Sequence, residues 1–208
     1  MSGLLRMHWA IAPTTAPRPL INCNRCGTVK AYCSSGKFRV NANGKRIDVW
    51  LIYRCIDCDN SWNFGIFERC NRRDLEPMLL QALESNDPAL ARRHAFDVVA
   101  LRNRIGRVEE FPDVNVDKQR LGDTRDAATM LELQLKLEMP TSLRLDRLLA
   151  GELGISRSRL QTLEEKRLLV LGRDGAKALR KPAREGMMIR FDLSGEADRQ
   201  AIISAAGG

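Results

Sequence analysis

The chain has 208 residues, of which 44% are hydrophobic and 29% are charged. This composition supports buried cores and excludes intrinsic disorder, collagen and a coiled coil as descriptions of the whole chain. The formal net charge of +8 favours an anionic partner such as nucleic acid. No apolar run approaches the roughly 18 residues that a membrane-spanning helix needs, and the first residues lack the apolar core of a signal peptide. We therefore expect a cytoplasmic protein without a membrane partner.

Changes in composition and periodicity predict an α+β protein divided into successive segments. Residues 20–70 and 141–193 are basic, whereas the residues between them carry a slight acidic excess. A chain of this length can form two or three small domains. The predicted segments are an N-terminal extension over 1–19, a cysteine-rich domain over 20–70, a linking segment of helices and strand over 71–140, a second small domain over 141–193 and a tail over 194–208.

A β-hairpin is predicted within the cysteine-rich domain. Two strand-like runs, 37–42 and 45–53, flank the dipeptide Asn43-Gly44. Asn-Gly is the strongest short-range hairpin signal, because both turn positions need positive φ. A third short strand is predicted over 62–67.

Two CxxC pairs, separated by 28 residues, lie on either side of this hairpin. Each pair can form a tight turn, or knuckle, that directs two sulfurs at one point, and four thiolates are what structural zinc prefers. Disulfides are the alternative, but they need an oxidising compartment. Four protein sulfurs close the coordination shell, so we expect a structural zinc ion in a zinc ribbon. The predicted ligands are Cys23, Cys26, Cys55 and Cys58.

The predicted ribbon also carries basic and aromatic side chains that can grip phosphates and stack unpaired bases. In so small a domain the aromatic residues can equally belong to the core, and the ribbon can instead bind a protein partner. Cys33 and Cys70 fall outside the pairing and are interpreted as free thiols. The candidate contact residues of the ribbon are Arg39, Lys45, Arg46 and Trp50.

The linking segment changes from helical to strand periodicity. Asp74 is predicted to cap a first helix, and a second helix is predicted to restart at Pro88. His94, in the second helix, is interpreted as structural because no carboxylate or cysteine motif surrounds it. Apolar and polar residues alternate strictly over 131–139, which predicts a half-buried strand.

Residues 143–193 are predicted to form two helices followed by two strands. Gly154 ends the first helix and Ser156 caps the second. Arg157 and Arg159 lie in the first turn of that second helix, where free backbone N–H groups and neighbouring arginines suit a phosphate. The strands are predicted over 168–171 and 188–193.

A resemblance to a bacterial family known only as a domain of unknown function, numbered 1062, covers most of the chain. It rests on four stretches, namely Cys23-x-x-Cys26, 34–44, 48–55 and Trp62-Asn63. This resemblance implies no particular activity.

The second small domain resembles the RNA-binding domain first found in small-subunit ribosomal protein S-four. The matching motifs are Arg144-Leu145-Asp146, Ser156-Arg157 and Gly186-x-x-Ile189. Arg167 departs from the pattern, since a glycine commonly ends the second helix there. The RNA-contacting residues that we expect from this resemblance and from the basic helix start are Arg144, Arg147, Ser156, Arg157, Arg159, Lys177, Arg180 and Lys181.

These observations together predict a non-enzymatic, zinc-containing protein that binds structured RNA: ribosomal RNA, transfer RNA or a ribosomal particle. Two basic modules can hold one RNA at two places. One alternative is an RNA-modifying enzyme or its accessory subunit, although the chain has no recognised catalytic motif and only two histidines. The other alternative is an adaptor that binds protein through the zinc ribbon.

Overall fold

The computed structural model describes residues 3–122, 128–172 and 178–207. These residues form an α+β fold with two five-stranded sheets and six α-helices, so the predicted α+β class is confirmed. The strands are β1 (Gly3–Pro13), β2 (Arg18–Cys23), β3 (Thr28–Asn43), β4 (Arg46–Cys55), β5 (Ser61–Asn71), β6 (Val108–Glu109), β7 (Val114–Arg120), β8 (Ala128–Leu137), β9 (Leu169–Leu171) and β10 (Met188–Asp192). The helices are α1 (Pro77–Glu84), α2 (Pro88–Ala95), α3 (Val98–Ile105), α4 (Leu145–Leu153), α5 (Arg157–Glu165) and α6 (Arg199–Gly207).

The chain divides into two compact units, each with its own hydrophobic core. The cysteine unit is Thr15–Phe111, and the discontinuous unit combines Met1–Thr14 with Pro112–Gly208. This division differs from the expected boundaries, because strands from distant parts of the chain pair with each other. Across the described ranges, no helix has both the length and the apolar character needed to cross a membrane.

The cysteine unit contains a sheet of strand order β5-β4-β3-β2-β6. Strands β3 and β4 form the predicted hairpin, in which Asn43 pairs with Arg46 and Gly44 has a φ of 60°. Helices α1, α2 and α3 pack against β2, β3 and β4. Val49, Leu51 and Tyr53, alternate residues of β4, are fully buried in the core.

The helices of this unit differ from the predicted pair. Asp74 lies in a short 3₁₀ turn, and α1 begins only at Pro77. The predicted second helix is divided, because the Asp97 side chain accepts a hydrogen bond from the Ala100 backbone and starts α3. Asp87 caps α2 in the same way, so the starts of α2 and α3 each have a local cause.

The discontinuous unit contains a sheet of strand order β7-β1-β8-β10-β9. The N-terminal residues, expected to be an extension, form its strand β1, which pairs antiparallel with β7 and parallel with β8. Met7 and Trp9 on one face of β1 are fully buried, and Arg6 on the other face is exposed. This period-two pattern is the physical reason for a strand here.

The expected tail also belongs to the fold of the discontinuous unit. It contributes α6, whose Ile202 and Ala206 are buried. The indole Nε1 of Trp9 donates a 3.0 Å hydrogen bond to the Ala206 carbonyl, which ties β1 to α6. Helices α4 and α5 and strands β9 and β10 follow one another in the expected order.

Candidate metal centre and basic surface

Two backbone turns of the same kind hold the four candidate ligands. Gly27 N–H donates to the Cys23 carbonyl at 2.8 Å, and Asp59 N–H donates to the Cys55 carbonyl at 3.1 Å. Both turn residues adopt positive φ, 72° at Gly27 and 58° at Asp59. Asp59 therefore takes the position that glycine has in the first turn, and aspartate tolerates this conformation better than most residues.

The structure brings the two predicted cysteine pairs together. The Sγ atoms of Cys23 and Cys58 are 3.5 Å apart, those of Cys26 and Cys55 are 3.9 Å apart, and all four lie within 4.8 Å of one another. Zinc–sulfur bonds of about 2.3 Å in a tetrahedron place sulfurs roughly 3.8 Å apart. The four cysteines can therefore hold a tetrahedral metal ion.

Polar side chains that the sequence did not single out support this cluster. Asn60 Nδ2 donates to the Cys23 sulfur at 3.8 Å and to the Tyr32 hydroxyl at 3.5 Å. Arg25 Nη1 donates to the Cys58 carbonyl at 3.0 Å and so connects the two turns. Such contacts around a ligand set orient the ligands and stabilise their charge.

The four sulfurs differ in their readiness to ionise. A hydrogen bond from Tyr32 lowers the pKa of Cys23 to about 6. A hydrogen bond with the Cys58 thiol, together with burial, raises the pKa of Cys26 to about 12. Neighbouring thiolates repel each other, so ionising one opposes ionising the next. A bound divalent cation supplies the positive charge that four thiolates need.

The other two cysteines lie apart from the cluster. Cys33 is half-buried on β3 opposite Arg54, and the Cys70 thiol donates to the carbonyl of Asn71 at 3.7 Å. Neither belongs to the four-sulfur group. They offer matched control positions for substitutions at the ligands.

The candidate contact residues of the predicted ribbon lie on and beside one face of the sheet of the cysteine unit. Arg39 and Trp50 are opposite each other on β3 and β4, and the guanidinium carbon lies 6.0 Å from the Trp50 ring centroid. Trp50 is half-buried on the face of β4 opposite to the core residues Leu51 and Tyr53. Lys45 and Arg46 are exposed at the hairpin turn.

A buried carboxylate organises the basic residues of the discontinuous unit. Asp146 is fully buried and accepts from Arg144 Nε at 3.1 Å and Nη2 at 2.6 Å, and from Arg157 Nε at 3.2 Å. Leu145 N–H donates to the Lys181 carbonyl at 2.9 Å, which brings the residues after a 3₁₀ turn over Ala178–Arg180 to the start of α4. Arg144, Arg157 and Lys181 are therefore neighbours.

The remaining predicted RNA contacts have different surroundings. Ser156 caps α5 as predicted, accepting from Arg159 N–H at 3.1 Å, but the Arg159 guanidinium is paired with Glu196. Arg147, Arg180 and Lys181 are exposed, and none of them makes an ion pair within the described part of the chain. Lys177 lies outside the described residues. We call Arg144, Arg147, Arg157, Arg180 and Lys181 the basic surface.

A family model described as "Protein of unknown function (DUF1062)" matches residues 40–174, well over half of the chain. The chain belongs to this family. The DUF1062 match begins within β3 and ends after β9, so it includes parts of both units. No curated protein and no solved structure matches the chain.

Proposed function

We propose that the protein is a non-enzymatic RNA-binding protein that carries one structural zinc ion. The observation that carries this proposal is the basic surface, where two arginines share the buried carboxylate of Asp146. The partner is structured RNA, either ribosomal RNA, transfer RNA or a ribosomal particle. The metal holds the cysteine unit in its zinc-ribbon fold.

The donor set favours zinc and a structural role. Four thiolates are soft ligands, and closely spaced tetrahedral sulfur sites are typical of structural zinc. All four positions are supplied by Cys23, Cys26, Cys55 and Cys58, so no position is left for an activated water. The two turns that present these cysteines are held by equivalent backbone hydrogen bonds, each from the residue after the second cysteine to the carbonyl of the first.

Metal analysis of purified full-length protein tests the zinc proposal. We expect about one zinc per chain. Cys26→Ser and Cys58→Ser should each lower the zinc content, because each removes one of four ligands. Cys33→Ser and Cys70→Ser should leave it unchanged. Zinc-free wild-type protein, or equal metal loss in the control variants, would refute the proposal.

The basic surface suits a phosphate backbone because part of its charge is held in place. Arg144 and Arg157 are oriented by Asp146, yet 38% and 47% of their side chains remain exposed. Arginine recognises phosphate with paired N–H donors, and a fixed guanidinium loses less entropy on binding. Two guanidinium groups around one carboxylate leave a net positive charge towards the solvent.

The backbone at Arg167 supports the resemblance to the S-four type of RNA-binding domain. Arg167 follows α5 with a φ of 58°, the left-handed conformation that favours glycine. The family commonly has glycine at this position. Arg167 therefore differs from the family in residue type but adopts the backbone conformation that a glycine would take there. The order α4, α5, β9 and β10 is the one predicted for this segment from its sequence.

Binding of full-length protein to transfer RNA across a range of salt concentrations tests the RNA proposal. The triple variant Arg147→Ala, Arg180→Ala, Lys181→Ala should bind roughly tenfold or more weakly. Its plot of log affinity against log salt should lose a slope of about 2 to 3, because three phosphate contacts disappear.

A second triple variant controls for net charge. Arg73, Arg93 and Arg107 are exposed in the cysteine unit, and their replacement by alanine removes the same charge. We expect this variant to bind transfer RNA as the wild type does. Equal losses in both triple variants would show that only net charge matters and would overturn the assignment of the basic surface.

The non-enzymatic part of the proposal has its own test. Transfer RNA incubated with the protein and digested to nucleosides should show an unchanged composition by mass spectrometry. A new modified nucleoside that forms with the folded protein, and not with heat-denatured protein, would favour the RNA-modifying enzyme instead.

Exposed apolar side chains favour a protein partner as the second candidate for the ribbon. Val29 and Ile56 lie next to the two cysteine turns and are 50% and 53% exposed. Ile56 N–H donates to the Ala31 carbonyl, which places it beside the strand that carries Val29. Crosslinking through a photoreactive residue at position 56 would distinguish RNA adducts from protein adducts.

A further inference from the structure

The discontinuous unit contains a cavity of about 440 Å³ between the end of β8 and the segment that leads into β10. Its volume is within the range of small-molecule sites. The walls are mainly apolar and include Leu137, Met139, Pro140, Pro182 and Ala183.

Residues that line this cavity adjoin residues of the basic surface, both in sequence and through backbone pairing. Pro182 forms an isolated antiparallel bridge with Arg144, and the N–H of Ala183 donates to the Leu143 carbonyl at 3.0 Å. Lys181 immediately precedes Pro182. Arg144 and Lys181 are therefore adjacent to residues that line the cavity.

The charges around the cavity disfavour a phosphate inside it. Glu138 and Glu185 line it together with one basic residue, Arg184. One oxygen of Glu185 accepts a hydrogen bond from the Leu137 backbone, so this carboxylate is held at the wall. Two carboxylates repel an anion but accept hydrogen bonds from the amino groups of bases.

We propose that this cavity takes an unstacked nucleobase with an exocyclic amino group, from the same RNA strand that contacts the basic surface. The apolar walls enclose the flat ring, and the carboxylates accept its amino hydrogens. Unpaired bases turned out of the stack are the usual basis of sequence recognition in RNA. The proposal rests on the proposed RNA-binding function and adds a base preference to it.

Single-stranded RNA hexamers of adenylate, cytidylate and uridylate are the probes for this site. Full-length protein should bind the adenylate and cytidylate hexamers roughly tenfold more tightly than the uridylate hexamer, which lacks the amino group. In nitrogen-15 NMR spectra of the wild type, the backbone amides of Leu137, Thr141 and Ala183 should shift with the first two hexamers.

Three variants separate the cavity from the basic surface. Met139→Trp fills the cavity and should abolish the base preference, whereas Gln134→Trp introduces the same side chain at an exposed position of β8 and should keep it. Lys181→Ala should lower the affinity of the protein for all three hexamers by the same factor. The amide shifts of the wild type provide a readout that does not depend on how well the variants fold.

The outcomes distinguish this inference from the proposed function. Equal affinity for the three hexamers, with shifts confined to Arg144 and Lys181, would overturn the base-binding cavity and leave RNA binding intact. Binding of transfer RNA without binding of any hexamer would overturn it as well. Failure to bind either transfer RNA or a hexamer would overturn both.

Discussion

Arg157 has two roles, and the sequence alone does not distinguish them. Its guanidinium carries positive charge at the start of α5, and it also donates a hydrogen bond to the buried carboxylate of Asp146. A carboxylate removed from water needs such partners, because burial of an unpaired charge costs several kcal/mol. The sequence predicted Arg157 as an RNA contact alone, and its structural task appears only when Asp146 is seen to be buried.

The double role predicts a loss of stability in the variant Arg157→Ala. Among the described residues, Arg144 is then the one remaining partner of the Asp146 side chain. We expect the free energy of unfolding to fall by about 1 to 3 kcal/mol. Lys181→Ala should change it by no more than about 0.5 kcal/mol, because Lys181 is exposed. Urea denaturation measures both. Equal stability of the two variants would contradict the structural role of Arg157.

His94 provides a second prediction at the scale of one residue. It packs edge-on against Phe38, with ring centroids 5.9 Å apart. Burial, and then the nearby charge of Arg93, lower the pKa of His94 below its usual value of 6.5, although Asp97 acts in the opposite direction. The unfolded state therefore binds this proton more readily than the folded state. Stability due to neutral His94 is complete above pH 6.5 and declines as the pH falls through that value.

The comparison with His94→Gln isolates this effect from other titrating groups. The difference in unfolding free energy, wild type minus variant, should decrease between pH 7.5 and pH 5.5, because only the wild type must bury a titrating imidazole. Denaturation curves at both pH values give this difference. A difference that stays constant or increases at low pH would exclude the proposed cause.

At the scale of elements, local signals were predicted well. Asn43-Gly44 marks the hairpin, Gly154 ends α4, and Ser156 caps α5, as the structure confirms. In each case the deciding interaction joins residues within a few positions of one another. The CxxC spacing is also local within each pair, although the meeting of the two pairs depends on the hairpin between them.

Long-range pairing was not predictable in the same way. Met7 pairs with Arg120 on one side and Leu133 on the other, and no signal near Met7 identifies either partner. The alternation of β1 is visible in the sequence, but residues 1–19 were predicted to be an extension. The pairing of Arg159 with Glu196 was missed for the same reason, since residues 194–208 were predicted to be a tail.

The position of β1 predicts a large effect of Trp9→Ala. The indole is fully buried and donates a hydrogen bond to α6. Its removal leaves an empty space in the core and breaks this hydrogen bond, so the free energy of unfolding should fall by about 3 to 5 kcal/mol. The neighbouring variant His8→Ala, on the opposite face of β1, should change stability by no more than about 0.5 kcal/mol. Thermal denaturation tests both. Similar melting curves for the two variants would show that β1 is dispensable, as an extension would be.

At the scale of the whole molecule, the candidate metal site belongs to the cysteine unit. All four sulfurs lie in the cysteine unit, and the core of the discontinuous unit consists of other residues. Structural zinc supplies on the order of 10 kcal/mol of folding free energy in small modules. The stability of the cysteine unit should therefore depend on the metal, and that of the discontinuous unit should not.

Removing the metal with a strong chelator tests this division, with hydrogen exchange followed by mass spectrometry as the readout. Peptides from β3 and β4 should lose their protection, because the two cysteine turns, which join β2 to β3 and β4 to β5, no longer share an ion. Peptides from β8 and β10 should keep theirs, since these strands pair with each other around a separate core. Loss of protection in both sets would contradict independent folding. Transfer RNA binding by the metal-free protein then tests whether the predicted ribbon contacts RNA or a protein partner. Unchanged affinity assigns RNA contact to the basic surface alone. A marked loss of affinity assigns part of the RNA contact to the ribbon residues Arg39, Lys45, Arg46 and Trp50.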